Sequence, residues 1–392
     1  MLAETVTNAS GRYRFEQLRP GQYAVQETQP SGYFHGGQRA GSHGGDVSVD
    51  DMISAISIRP GQVLTDYDFY ELPPSRLTGI VHLDPNQNGR WDAGEQLLSG
   101  VAIRLLDATG RVVAETATDA LGRYRFEQLR PGEYAVQETQ PSGYFHGGQR
   151  AGSHGGDASV ADRIGAIRVP AGDVLDDYDF FELPAAQLSG YVFQDGEQIR
   201  TIDGVFSDQD GRVWAKHDGR KSPGDAPLAN VVLELRDART GLLVTSDQAL
   251  PGTYQSGVIT ALTDADGYYE FTGLPPGLYD VTQIQPPGYV DGLDTPGTTG
   301  GVAFNPNSTV DPQLRVGRSH YPQWDAIVSI PLTAGAVSQG NNFSELSVGR
   351  LVVIPPPDPP TYVVPQASPN TTSRTARTPP SSPIRVPSVQ RP

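Results

Sequence analysis

Apolar and polar residues alternate in short runs along most of this chain. Val101, Ile103 and Leu105 share one side of a run at 100–106, Tyr124 and Phe126 share the next, and Tyr134 and Val136 follow. A period of two over a few residues predicts half-buried strands. Turn signals separate the runs at Ala108-Thr-Gly110, Asp119-Ala-Leu-Gly122 and Arg130-Pro-Gly132. After a Gly-rich loop, runs at 164–169 and 178–183 bring the number to about seven, with even turn spacing. The pattern predicts an all-β chain and, within it, a β-sandwich.

The same pattern recurs. Residues 11–46 match 122–157 at 35 of 36 positions, the one change being Gln22 against Glu133. The offset of 111 continues more loosely, so that Tyr67-Asp-Phe-Tyr-Glu-Leu72 meets Tyr178-Asp-Phe-Phe-Glu-Leu183. A period of about 110 residues is too long for a solenoid and suits whole β-domains in tandem. Further on, Asp264-Ala-Asp-Gly-Tyr-Tyr-Glu-Phe271 echoes Asp119-Ala-Leu-Gly-Arg-Tyr-Arg-Phe126. Four segments are expected: a truncated domain at 1–76, a complete one at 77–186, a third with long insertions at 187–348, and a tail at 349–392. The tail is rich in Pro, Ser and Thr, with Arg374, Arg377, Arg385 and Arg391, and is expected to be disordered.

One stretch of the second unit carries chemistry. Asp84-Pro-Asn-Gln-Asn-Gly-Arg-Trp-Asp-Ala-Gly-Glu95 places oxygen-bearing side chains at positions 1, 3, 5, 9 and 12, with Gly at 6. That is the ligand spacing of an EF-hand-type calcium loop. Asp84, Asn86 and Asn88 would converge as the loop winds. Arg90 would offer its carbonyl, Asp92 would act directly or through water, and Glu95 could bind in bidentate fashion. The flanking runs read as strands, so the loop would pin a sheet corner. The alternative is an Asp/Asn/Gly-rich turn without an ion. In the third unit the segment 195–229 holds Asp203, Asp208, Asp210, Asp218 and Asp225 without a continuous template.

Composition narrows the function. A net charge of −16 and a pI near 4.8 disfavour nucleic acid or anionic membrane as partner and suit divalent cations. Cys is absent, which excludes disulfides and thiol chemistry. No run of about 20 apolar residues could span a membrane as a helix. Met1-Leu-Ala-Glu-Thr5 lacks a signal-peptide layout, expected if the sequence starts mid-domain. No Gly-x-Ser-x-Gly, His-Glu-x-x-His or phosphate loop occurs, and no enzyme is expected. His35 and His43, repeated as His146 and His154, could hold a transition metal with Asp46 or Asp157. Polar loops without metal are the simpler expectation.

The string Asp84-x-Asn-x-Asn-Gly-x-x-Asp-x-Gly-Glu95, Gly100-Val, Thr118-Asp-x-x-Gly-x-Tyr-x-Phe126, Leu129-x-Pro-Gly-x-Tyr134 and Glu138-x-Gln-Pro-x-Gly-Tyr144 resembles the SdrD B-like domain of bacterial surface proteins. That family is related to Cna-B and prealbumin-like folds. The resemblance covers about 1–348. It implies immunoglobulin-like (prealbumin-like) sandwiches, stabilised by Ca2+ at Asp84, Asn86, Asn88, Arg90, Asp92 and Glu95, serving as a stalk or spacer in secreted or cell-surface proteins. The intramolecular Lys cross-link of related domains has no lysine in unit two, since Lys216 and Lys221 are the only lysines. No Leu-Pro-x-Thr-Gly sorting motif is present. Two alternatives remain: a module binding extracellular matrix or cell-surface glycan through exposed Tyr and Trp (Trp214 or Trp324), and an accessory region of a larger secreted enzyme.

Overall fold

The computed structural model describes residues 2–198, 201–202, 205–206, 217–304 and 325–347. Lys216, Trp214, Trp324, Asp203, Asp208, Asp210 and the 349–392 tail lie outside the described residues. Strands dominate, with a 3-10 turn at Ser246–Gln248.

Unit one has β1 (Gly21–Gln26), β2 (Phe34–Arg39), β3 (Asp46–Val49), β4 (Met52–Ile58) and β5 (Asp68–Leu72). Unit two has β6 (Ser75–Leu83), β7 (Ala102–Asp107), β8 (Val112–Ala117), β9 (Arg123–Leu129) and β10 (Gly132–Glu138). It continues with β11 (Tyr144–Arg150), β12 (Asp157–Val160), β13 (Arg163–Val169), β14 (Val174–Leu175) and β15 (Asp179–Pro184). Unit three begins at β16 (Ala186–Gln194), followed by the short β17 (Thr201–Ile202), β18 (Val205–Phe206) and β19 (Ala226–Pro227). Its body is β20 (Val232–Asp237), β21 (Thr260–Leu262), β22 (Tyr268–Leu274), β23 (Gly277–Gln283) and β24 (Tyr289–Asp291). It ends with β25 (Val302–Phe304), β26 (Asp325–Leu332), β27 (Val337–Ser338) and β28 (Phe343–Ser347).

Unit two is a sandwich. One sheet runs β12-β13-β10-β7-β8; the other is β11-β15-β6, with β9 and β14 also on β6. The first and last main strands, β6 and β15, are parallel neighbours, while β6 and β9 are antiparallel. The inward residues of the alternating runs meet between the sheets. Leu77, Val81, Ile103, Leu105, Phe126 and Val136 join Ile164, Ile167 and Phe180 in one buried cluster. Each such side chain stabilises by about 1.5–3 kcal/mol on leaving water. Unit three repeats the plan, with β21-β20-β23-β26-β25 facing a sheet built on β16, β22, β28 and β24. Its core gathers Leu188, Val192, Leu233, Phe271, Val281, Ile327 and Phe343.

Among the described residues, unit one holds the sheets β1-β4-β3 and β2-β5. Its stretch 12–18 has the same residues as β9 yet forms no strand, because this sequence has no counterpart of β6 for it to pair with. Ala24 is exposed, where its counterpart Ala135 is buried beneath the pairing of β10 with β7.

Candidate cation sites

Asp84 follows β6 directly and donates its N–H to the Glu182 carbonyl of β15 at 2.9 Å. It is 1% exposed. Its Oδ1 accepts the Asn88 N–H (3.1 Å) and its Oδ2 the Gly89 N–H (2.8 Å). Gly89 has φ of +69°, the left-handed turn that position 6 demands. Asn86 Oδ1 accepts the Asn88 N–H at 3.0 Å, and Asn88 Oδ1 the Arg90 N–H at 2.8 Å. The Asn86 and Asn88 amides donate to Asp92 Oδ2 at 2.9 and 2.6 Å, which holds that carboxyl below the usual carboxylate range. Glu95 Oε2 accepts the Asp92 N–H at 2.9 Å and lies 3.3 Å from His82 Nδ1. Its Oε1 is buried without a hydrogen-bond partner. An all-oxygen donor set with a buried, unmatched carboxylate oxygen fits a hard divalent cation.

Unit three holds a counterpart that sequence spacing conceals. Asp195 follows β16 as Asp84 follows β6, and its N–H reaches the Glu345 carbonyl at 2.9 Å. Asp195 Oδ2 accepts the N–H of Gly219 at 2.7 Å, as Asp84 does from Gly89, and Gly219 has φ of +71°. Six residues beyond, Asp225 Oδ2 accepts the Ser222 N–H at 2.6 Å, the same contact that Glu95 makes with Asp92. Asp195, Asp218, Gly219 and Asp225 therefore stand at positions 1, 5, 6 and 12 of a loop interrupted by the insertion after position 1. Burial pushes the Asp195 carboxyl up. The pairing of β19 with β16 and the Gly196 N–H donating to Asp225 Oδ1 at 2.9 Å align the two halves.

A second set of carboxylates draws on strands of both sheets. Among the described residues, His35, Asp51 and Glu71, then His146, Asp162 and Glu182, then Asp291, Asp294 and Asp325 each bring ligand atoms within 4.8 Å of one another. The first two sets are one position of the repeat. In unit two, Glu182 projects from β15, His146 from the paired β11, and Asp162 from the turn between β12 and β13. His146 Nδ1 lies 2.7 Å from Asp162 Oδ1, and Gln140 donates to Glu182. Glu138, at the end of β10, is 3% exposed. Burial pushes its carboxyl up, with Glu182 adding to the effect, and burial pushes Glu182 up as well.

The histidines do not gather as the sequence suggested. His146 meets Asp162 rather than Asp157, and His154 meets Asp173 at 3.1 Å. In unit three Asp291 takes the place of His146, pairing with Glu345 as His146 pairs with Glu182. Glu138, Glu182, Asp325 and Glu345 fall on alternating strands and read as solvated surface from sequence; all four are buried. A signal was available in the repeat itself, since a carboxylate or histidine stands at each of these positions in both units except for Gln283.

Residues 1–69 and 75–179 match the SdrD B-like domain. Serine-aspartate repeat-containing protein D of Staphylococcus aureus (strain Newman) is 28% identical over 326 residues, covering 79% of this chain and 22% of that protein. Bone sialoprotein-binding protein of Staphylococcus aureus (strain MRSA252) is 26% identical over 283 residues, covering 72% and 22%. The chain spans about a fifth of the length of the curated relatives it matches. Among solved structures, the Bacillus anthracis TIE protein aligns over 87% of this chain and 44% of its own, with 14% identity and a TM-score of 0.30. GBS52, the minor pilin of Streptococcus agalactiae, aligns over 71% of this chain and 98% of its own, with 12% identity and a TM-score of 0.27. The segments 1–69 and 75–179 are SdrD B-like domains.

Proposed function

We propose that this run of SdrD B-like repeats is a non-enzymatic stalk or spacer on the outside of a Gram-positive cell, stiffened by calcium. The strand hand-over between units carries the reading. β5 ends at Leu72 and β6 begins at Ser75; β15 ends at Pro184 and β16 begins at Ala186. The short joints are themselves bonded. The Pro73 carbonyl accepts the Gly172 N–H at 3.0 Å, and the Pro184 carbonyl accepts the Gly335 N–H at 2.8 Å. Arg130 of unit two also lies 4.4 Å over the Phe34 ring of unit one. Links this short leave little room for the free rotation of a Gly/Ser linker.

Calcium belongs at Asp84, Asn86, Asn88, Asp92 and Glu95, with the Arg90 carbonyl. A hard cation there neutralises the buried carboxylates of Asp84 and Glu95 and ties the end of β6 to β15. Calcium at about 100 times its dissociation constant stabilises the folded state by about 2.7 kcal/mol. Thermal unfolding of the whole chain in calcium, chelator and magnesium tests this. A calcium-specific rise in Tm that shrinks in Asp84→Ala and Glu95→Ala is expected, with the sandwich retained. Equal calcium affinity in parent and variants removes the loop from the proposal.

A second reading follows from the relative named for binding bone sialoprotein: these repeats would touch a matrix ligand themselves. Trp91, 47% exposed in the loop, offers an aromatic surface for it. Binding of the chain to immobilised matrix protein, lost in Trp91→Ala, would favour that reading over a spacer.

A further inference from the structure

We propose that Ser153 of unit two is an activated nucleophile that takes an acyl group from an activated carboxylic ester. His154 serves as its base, and Asp173 holds the imidazole in the required tautomer. Nothing in this chemistry draws on the Asp84–Glu95 loop.

The three side chains form one hydrogen-bonded chain. Ser153 Oγ lies 3.0 Å from His154 Nδ1, and His154 Nε2 lies 3.1 Å from Asp173 Oδ2. Two backbone contacts fix the serine. The Ser153 N–H donates to the Asp176 carbonyl at 2.9 Å, and the Asp176 N–H donates to Ser153 Oγ at 3.1 Å. The Tyr178 hydroxyl pins the same turn by donating to the Gly155 carbonyl at 3.0 Å. An ionised carboxylate only accepts, so Asp173 fixes the His154 proton on Nε2. Neutral His154 then presents a bare Nδ1, and the Ser153 hydroxyl donates to it. A hydroxyl whose proton points at an oriented base is the relation that a serine nucleophile needs.

Unit one carries the same serine and histidine with the polarity reversed. Ser42 Oγ lies 3.0 Å from His43 Nδ1 and accepts the Thr65 N–H at 3.1 Å. The residue in the place of Asp173 is Gln62. Gln62 Oε1 accepts the Arg59 N–H at 2.8 Å, which leaves its amide nitrogen against His43 Nε2 at 3.0 Å. An amide NH2 only donates, so neutral His43 keeps its proton on Nδ1 and donates to Ser42 Oγ. Its lone pair faces Gln62 and cannot take the serine proton. In unit three Thr298 and Thr299 stand at these two positions. The Gln339 N–H still reaches Thr298 Oγ1 at 3.1 Å, with no imidazole next to it in the chain. Asp173 against Gln62 therefore separates a primed serine from an inert one.

The step balances within these groups and the ester. Ser153 Oγ attacks the acyl carbon; the Oγ–C bond forms and the bond from that carbon to the leaving oxygen breaks. The Oγ proton passes to His154 Nδ1 and from there to the departing oxygen, which leaves as the alcohol or phenol. Asp173 stays ionised and faces the imidazolium as it forms. The His154 and Asp173 side chains are 31% and 49% exposed, so a small ester reaches them from solvent. A turn this open selects by leaving group rather than by shape. The class is therefore esters with acidic leaving groups, such as aryl esters.

The probe is p-nitrophenyl acetate on the whole chain, with acetyl located by mass spectrometry of tryptic peptides after acid quench. The peptides that start at Ala40 and Ala151 differ at Val47 against Ala158, so Ser42 is a control in the same tube. General-base help predicts about 10²-fold faster acetylation of Ser153 than of Ser42. Release of p-nitrophenolate is followed in parallel, so that acetyl lost again to water is still counted; Ser153→Ala should remove that excess. Asp173→Gln should bring Ser153 down to the Ser42 level, and Gln62→Asp should raise Ser42 toward Ser153. A turn merely tied together by hydrogen bonds gives no such gain. Imidazole nitrogen shifts in NMR should place the proton on Nε2 in His154 and on Nδ1 in His43. Equal acetylation of Ser42 and Ser153 in the parent overturns the proposal. So does a Ser42 left unmoved by Gln62→Asp, or one shared tautomer in both histidines.

Discussion

Gly79, on β6, touches the backbone of the segment leading into β15. A Cβ there would sit 1.7 Å from the Tyr178 carbonyl oxygen. The same carbonyl accepts the Tyr124 hydroxyl at 2.7 Å, so strand, carbonyl and tyrosine are locked together. Unit three repeats the arrangement with Gly190, the Asn341 carbonyl and Tyr269. Gly79→Ala must push β6 away from this corner and is expected to cost at least about 1–3 kcal/mol, read as a lower Tm by calorimetry. Asp107 makes a separate residue-scale prediction. The Thr109 hydroxyl and the backbone N–H groups of Arg111 and Thr109 hold its carboxyl down, to about 2. Its folded pKa is depressed, so its stabilisation is present above the ordinary aspartate value of about 3.9 and is lost as pH falls through about 2. Asp107→Asn should therefore differ from the parent in stability at pH 6, and the difference should vanish near pH 2.

At the scale of elements, identical residues adopt two structures. Residues 123–129 form β9, and Tyr124 and Phe126 are buried against Phe180. Residues 12–18 have the same sequence, form no strand, and leave Tyr13 and Phe15 half-buried. Tyr13 still donates its hydroxyl to the Tyr67 carbonyl at 2.7 Å, so the corner survives without the ladder. Amides of 12–18 lack the β6 partner that protects 123–129 and should exchange hydrogen faster. Mass spectrometry separates the two because Gln22 and Glu133 differ in mass when the peptide extends that far. Equal protection would mean that the stretch 12–18 finds another partner in solution.

At the scale of the molecule, stiffness has two sources that act on different boundaries. The short joints at Pro73 and Pro184 hold one unit to the next, while the proposed calcium would hold the Asp84–Glu95 loop within unit two. Without any ion the loop is already tied to β15 through the Asp84 N–H and the Glu182 carbonyl. A net charge of −16 is consistent with a chain that gathers cations as it folds. Removing divalent ions should loosen unit two while the Pro73 and Pro184 joints persist.

Alternation of apolar residues determined the strands and the sandwich, because a strand that buries one face must repeat every second residue. The 111-residue offset determined the tandem order, and the Asp84–Glu95 spacing marked its loop, because those oxygen-bearing side chains are neighbours in sequence. Side chains brought together from different strands have no such spacing. His146, Asp162 and Glu182 are separated by up to 36 residues and meet only when β11, β13 and β15 pack. Asp195 and Gly219 are joined across an insertion only because β16 fixes the first and β19 anchors the chain just beyond the second. Residues 12–18 show the same limit from the other side: a strand sequence is a strand only where another strand offers it hydrogen bonds.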